Sequence, residues 1–117
     1  MAEIVNILIA LMTIAFGAIG FVAPRFTARA LDMTPTETTM GLSELRASAG
    51  GLFVAMGLAC LLVGGWAYAA LGVAYAGAAT GRAVSMAFDG PPQPKTLMWF
   101  AFEALPSAWL LWMNWPA

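Results

Sequence analysis

Apolar residues fall in four long runs separated by short polar breaks. The first covers residues 4–23 and stops at Pro24-Arg25; the second covers 43–64. The third covers 66–88 and ends at Asp89-Gly90-Pro91-Pro92, and the fourth covers 95–115. A helix needs about 20 mostly apolar residues to cross the hydrocarbon core of a bilayer, and each run has that length. The pattern predicts an all-α fold, a four-transmembrane-helix antiparallel bundle forming one integral membrane domain over residues 1–117. The second and third runs meet at Gly64-Gly65-Trp66, which predicts a tight antiparallel hairpin. The opening residues, Met-Ala-Glu-Ile-Val-Asn, carry an acid and no base. A cleaved leader starts basic, so the first run is expected to be a retained helix.

The first polar break has a pattern of its own. Phe26, Ala30 and Met33 share one face of a helical reading, which predicts a short helix lying in the membrane interface between spans one and two. Thr34-Pro35-Thr36-Glu37 has the form of a capping box. Thr34 would cap, Pro35 would take the first helical position and Glu37 would reach back to the cap. A helical turn is expected there, leading into span two.

Composition sharpens the membrane reading. The chain is 62% hydrophobic and 9% charged, where a soluble domain carries about 25% charged residues. A net charge of −1 leaves no basic excess to hold nucleic acid. The sequence has no histidine, which removes the usual haem ligand and the default proton carrier at neutral pH. With Cys60 as the single cysteine, no intramolecular disulfide can form, and its place in an apolar run predicts a small buried filler. The carboxylates lack metal-ligand spacing. No metal and no cofactor is expected, although a lipid or another hydrophobic ligand suits such a chain.

The basic residues predict an orientation. Arg25, Arg29 and Arg46 belong to the first connection or its edge, and Arg82 and Lys95 flank the third. All then lie on one side, the cytoplasmic side by the positive-inside rule. The expected location is a bacterial inner membrane with both termini outside. Trp66, Tyr68, Trp112 and Trp115 would form an outer aromatic belt, with Trp99 and Phe100 toward the inner one.

Helices in lipid associate through close packing and hydrogen bonds rather than by hiding leucine. Gly50, Gly57 and Gly64 recur every seven residues, Gly77, Gly81 and Ser85 every four, and Thr13, Gly17 and Gly20 share a face. These are the expected packing stripes. Polar residues also recur near helical spacing: Asn6 and Thr13, then Glu44 and Ser48, then Arg82, Ser85 and Asp89. Thr96, Glu103, Ser107 and Asn114 continue the series on the last run. All are expected to turn inward.

The stretch Phe-Ala-Phe-Glu-Ala-Leu-Pro-Ser-Ala-Trp, residues 100–109, holds the one acid deep in the last run. Glu103 lies about 12 Å along its helix from Lys95, and Arg82 about 9 Å in from the end of the preceding one, at 1.5 Å per residue. An unpaired charge at mid-membrane costs roughly 2.5–3.5 kcal/mol on insertion scales. An Arg82–Glu103 ion pair is therefore expected, with Glu44, Arg46 and Asp89 as further members of one polar cluster. Pro106 cannot donate to the carbonyl of Phe102, so Ser107, a water or Arg82 would take that carbonyl. The pair reads either as a lock for the bundle or as the floor of a polar cavity open to the cytoplasm.

Ser43-Glu44-Leu45-Arg46-Ala47 followed by Gly50-Gly51, then Gly81-Arg82 with Ser85 and Asp89-Gly90, and finally Glu103 make up a recognisable set. Together they resemble a family of small bacterial four-helix membrane proteins catalogued as a domain of unknown function. The resemblance implies a fold and a location but no reaction, and it implies that Glu44, Arg46, Arg82, Asp89 and Glu103 are recurring polar positions. In layout alone the chain is similar to DoxX-like and emopamil-binding-like proteins. The favoured function is an accessory or structural subunit docking in the plane of the membrane on a larger complex, respiratory or photosynthetic. The alternative is a small-ligand binder or transporter component, with Tyr75, Trp99 and Phe100 walling a cavity around Arg82 and Glu103. The least favoured reading is a membrane enzyme using Glu103 as general acid or base.

Overall fold

The computed structural model describes residues 1–34 and 36–116. These residues are all-helical, with five helices and no strand. They group into two compact units, Glu3–Leu62 and the segment from Val63 onward. The first unit holds α1 (Ala2–Val22), α2 (Pro24–Ala30) and α3 (Met40–Val63). The second holds α4 (Trp66–Phe88) and α5 (Lys95–Asn114). Of the five, α1 and α3 are long and apolar enough to cross a membrane, where four such helices were expected. The other two long helices are diluted by their content. α4 is rich in Ala and Gly and carries Arg82, and α5 carries Lys95, Glu103 and tryptophans with polar N–H groups.

Pro24 separates α1 from α2. A proline disfavours the helical region for the residue before it, and Ala23 sits at φ −127°, ψ 63°. Pro24 itself opens α2, where its missing N–H leaves no bond unmade. The short helix thus begins two residues earlier than the hydrophobic pattern predicted and stops at Ala30, with Pro24 and Ala28 buried and Phe26 and Met33 exposed. A Schellman-type cap ends it: Asp32, at φ 58°, donates to the Arg29 carbonyl at 3.2 Å, and Met33 donates to that of Ala28 at 2.8 Å.

The expected capping box does not form a helical turn. Pro35 lies outside the described residues, and Thr34 and residues 36–39 are non-helical. Threonine side chains compete for backbone groups and favour caps over helix interiors. Here the Thr38 hydroxyl accepts from the Met40 amide at 3.2 Å, so α3 starts at Met40. Within α3, Ala47–Gly51 forms a π-helical turn, closed by the Leu52 amide donating to the carbonyl of Ala47, five residues back.

α1 meets α3 backbone against backbone. A Cβ built on Gly50 would stand 2.7 Å from the Phe21 nitrogen, and one on Gly17 would stand 2.7 Å from the Val54 nitrogen. One on Gly20 would strike the Ala49 carbonyl oxygen, and one on Gly57 the Ile14 side chain. Gly50 and Gly57 are therefore packing glycines, as the seven-residue spacing suggested. The third member of that series is not. Gly64 has no neighbour within 4 Å and serves the connection instead, at φ 71°, with Gly65 at 42°. Positive φ at both strains any residue with a Cβ.

In the second unit α4 and α5 pack antiparallel. Trp66 meets Trp115 edge to face at 6.5 Å, Gly72 meets Leu110 and Leu111, and Arg82 meets Glu103. The close-contact glycine of α4 is Gly72, where a Cβ would lie 3.0 Å from that of Leu110. Gly77 and Gly81, the expected packing stripe, have nothing within 4 Å. Of the expected aromatic belt, Trp66, Trp112 and Trp115 are exposed and Tyr68 is buried.

These contacts predict opposite effects for one substitution at two kinds of site. Gly20→Ala and Gly50→Ala should each destabilise by about 1–3 kcal/mol, because backbone must move to admit the methyl. Gly77→Ala should be neutral or stabilise by up to about 1 kcal/mol through helix propensity. Thermal unfolding in detergent, followed by circular dichroism, checks both; equal effects at Gly50 and Gly77 would contradict the packing described.

Candidate functional site

The best-defined polar contact inside the second unit joins α4 to α5. Arg82 Nε donates to Glu103 Oε1 at 3.1 Å and Nη2 to Oε2 at 2.8 Å. This is the two-pronged geometry that a planar guanidinium offers a carboxylate. The helices place it well: Arg82 lies in the last third of α4 and Glu103 in the first half of α5, so antiparallel packing brings them level. The Arg82 side chain remains 32% exposed and that of Glu103 15%. The pair is therefore partly open at its arginine end, and both carboxylate oxygens are engaged.

One turn before Glu103 on the same face of α5 stands Trp99. Its indole Nε1 is buried and donates to no group among the described residues. Buried donors are nearly always paired. The ring packs against Phe102 at 6.1 Å. Ser107, one turn after Glu103, is one of the three groups expected at the Phe102 carbonyl, and its hydroxyl goes elsewhere. It donates across the helix pair to the carbonyl of Gly72 at 3.0 Å. A glycine at 72 lets α5 approach closely enough for that bond, a pairing that no regular spacing of small residues signals.

The other residues of the expected cluster sit elsewhere in their units. Asp89 is exposed just past the end of α4. Glu44 and Arg46 are exposed on α3 in the first unit. Arg46 reaches back to α1, its Nη1 donating to the Phe21 carbonyl at 2.6 Å. Tyr75, expected as a cavity wall, is buried on α4, and Phe100 is half-buried on α5. Among the described residues no three His, Cys, Asp or Glu side chains are arranged to hold a metal. Arg25 and Arg29, read from sequence only for orientation, line a pocket with Arg46. Their spacing of four residues on one helix was the available signal.

The fold and these contacts define an all-helical protein with two helices fit to cross a membrane and a bidentate ion pair tying a helical hairpin. The chain belongs to the family described as Domain of unknown function (DUF4345), whose model matches residues 1–114. No curated protein and no solved structure matches the chain.

Removing one partner of the pair should cost more than removing both. Glu103→Gln is expected to destabilise by about 1–3 kcal/mol, the range for hydrogen bonds to charged groups and the penalty of an unmet one. Arg82→Ala should be worse than the double variant Arg82→Ala/Glu103→Ala, which leaves no half-buried carboxylate unpaired. A double-mutant cycle on thermal midpoints measures the coupling, and a coupling of zero would remove the ion pair as a stabilising contact.

Proposed function

We propose that the chain is a four-span membrane protein serving as an accessory subunit that docks in the plane of the membrane on a larger complex, of the respiratory or photosynthetic kind. The observation carrying the membrane reading is an inverted pattern of burial. On α1 the buried residues are Asn6, Ala10, Thr13, Gly17 and Gly20, while Ile4, Leu8, Leu11, Phe16 and Phe21 are exposed. A surface helix in water shows the reverse. The other long helices also expose large apolar residues, Leu58 and Leu62, Val73 and Phe88, and Leu105 and Trp112, although they bury Leu45, Leu71 and Leu110. In length α4 and α5 are also adequate, at about 34 and 30 Å for 1.5 Å per residue. The five basic residues favour connections on the cytoplasmic side of a bacterial inner membrane and termini outside.

Docking is supported by a small-residue stripe on α4 that its own unit, among the described residues, does not fill. Gly17, Gly20, Gly50 and Gly57 are filled, whereas Gly77 and Gly81 meet nothing. Small residues four apart let a second membrane helix approach closely. In this reading Arg82–Glu103 is an internal lock. The second reading, a ligand cavity at that pair, draws on the unpaired indole of Trp99, which a ligand acceptor would satisfy. Acid–base chemistry at Glu103 draws less support, since Arg82 occupies both carboxylate oxygens.

Two experiments test this. In a Cys60→Ala background, single cysteines at Thr36 and Gln93 should react with an impermeant maleimide only from the cytoplasmic side, and one at Glu3 only from outside. Labelling of all three from one side would overturn the four-span topology. Extraction of the tagged chain from its native membrane should yield a stoichiometric complex that Gly77→Leu/Gly81→Leu disperses while the chain stays folded. A wild-type monomer would overturn the docking reading, and loss of a bound small molecule in Glu103→Gln would favour the cavity.

A further inference from the structure

Where α1, α2 and the start of α3 converge, the first unit forms an open surface pocket of about 740 Å³. Arg25, Arg29 and Arg46 line it together with the hydroxyl residues Thr39 and Ser43. That is three of the five basic residues of a chain whose net charge is −1, and no carboxylate is among the lining. Neither Arg25 nor Arg29 forms an ion pair among the described residues. Like charges four apart on a helix repel, so the arrangement is unfavourable until an anion enters. We propose that this pocket is a binding site for a phosphate group, carried by an anionic glycerophospholipid headgroup or by a free phosphate ester.

Four features fit it to phosphate rather than to diffuse negative charge. Thr39, Ser43 and Arg46 lie zero, four and seven residues along α3 from its N-cap, so they share one face. The Thr38 hydroxyl accepts from the Met40 amide and the N-cap Thr39 makes no side-chain capping bond, which leaves the Thr39 hydroxyl for the pocket. The first turn of a 24-residue helix adds partial positive charge at the same point. Arg46 is held in place by one bond to the Phe21 carbonyl, and a guanidinium has further donors to offer. Guanidinium forks match phosphate oxygens in geometry as well as charge.

The rest of the lining suits a lipid. Val22, Phe26 and Leu42 give the pocket an apolar side. Val22 and Phe26 are 74% and 55% exposed, at the end of a helix apolar enough to span the bilayer. A headgroup phosphate would meet the arginines there while its acyl chains follow the apolar side. The lipid source rests on the membrane reading; the phosphate chemistry does not.

The full-length protein in uncharged detergent is titrated with phosphatidylglycerol, with phosphatidylcholine and with inorganic phosphate, and binding is read by native mass spectrometry and thermal midpoint. Phosphatidylglycerol should bind and phosphatidylcholine should not. Arg25→Gln/Arg29→Gln should weaken binding on the order of tenfold or more, while Lys95→Gln, which removes a charge outside the pocket, should leave it unchanged. Release of the lipid by millimolar inorganic phosphate would identify a free phosphate ester as the ligand; no release would identify the lipid. Unchanged affinity in the double variant, or an equal loss in Lys95→Gln, would overturn the site. Should the double variant fail to fold, Arg29→Lys keeps the charge and removes the fork, and wild-type affinity there would count equally against it.

Discussion

At Gly20 and Gly50 the backbones of α1 and α3 come together without room for a single methyl group. The first unit depends on that approach. Helices in an apolar solvent gain little from covering leucine, so their association rests on how many atoms they bring within contact distance. Under the membrane reading proposed above, this accounts for the glycine, alanine and threonine that α1 turns inward and the large side chains it turns out. It also changes the meaning of the polar stripes. Thr13 bonds the Ile9 carbonyl, Ser48 that of Glu44, Thr96 that of Pro92 and Asn114 that of Leu110, each four residues back along the chain. Thr13 and Thr96 face inward because they are compact and satisfy themselves; these bonds tie nothing across helices.

Other polar bonds do cross between helices, and they are specific. In the second unit Ser107 reaches Gly72 and Arg82 grips Glu103, with Trp66 against Trp115 at the far end. These contacts mark out a hairpin held at its middle, toward its connection and at its open end. In the first unit Arg46 performs the corresponding reach, from α3 to the Phe21 carbonyl at the end of α1. That bond sets one wall of the arginine pocket, so packing and electrostatics meet in a single side chain.

Helix existence and most ends were legible from apolar run length: α4 covers the expected 66–88 and α5 ends within a residue of expectation. The start of α3 was not, because Thr36, Thr38 and Thr39 offer competing caps and only local geometry decides which hydroxyl is used. The Arg82–Glu103 contact was legible because two opposite charges at matching positions along antiparallel apolar runs have few other partners. Gly72 was not, since it belongs to no repeat and its role depends on Ser107 and Leu110 arriving from another helix. The arginine pocket escaped notice for a different reason. A chain with so few charges invites reading its arginines for topology alone, and Thr39 and Ser43 reveal the shared face only once α3 is known to begin at Met40.

The wide turn at Ala47–Gly51 has a consequence for how this helix tolerates changes in length. A π turn is one residue more than an α turn needs. Deleting a single residue within it would let the segment relax to ordinary α-helix, with Arg46 on one side and Gly57 and Cys60 on the other keeping their mutual orientation. A deletion between Leu52 and Gly57 would instead rotate Gly57 and Cys60 by about 100° relative to the pocket end. The turn is thus the stretch of α3 where losing a residue keeps Arg46 in phase with Gly57 and Cys60, at the cost of rebuilding the contact that Ala49 and Gly50, inside the turn, make with α1.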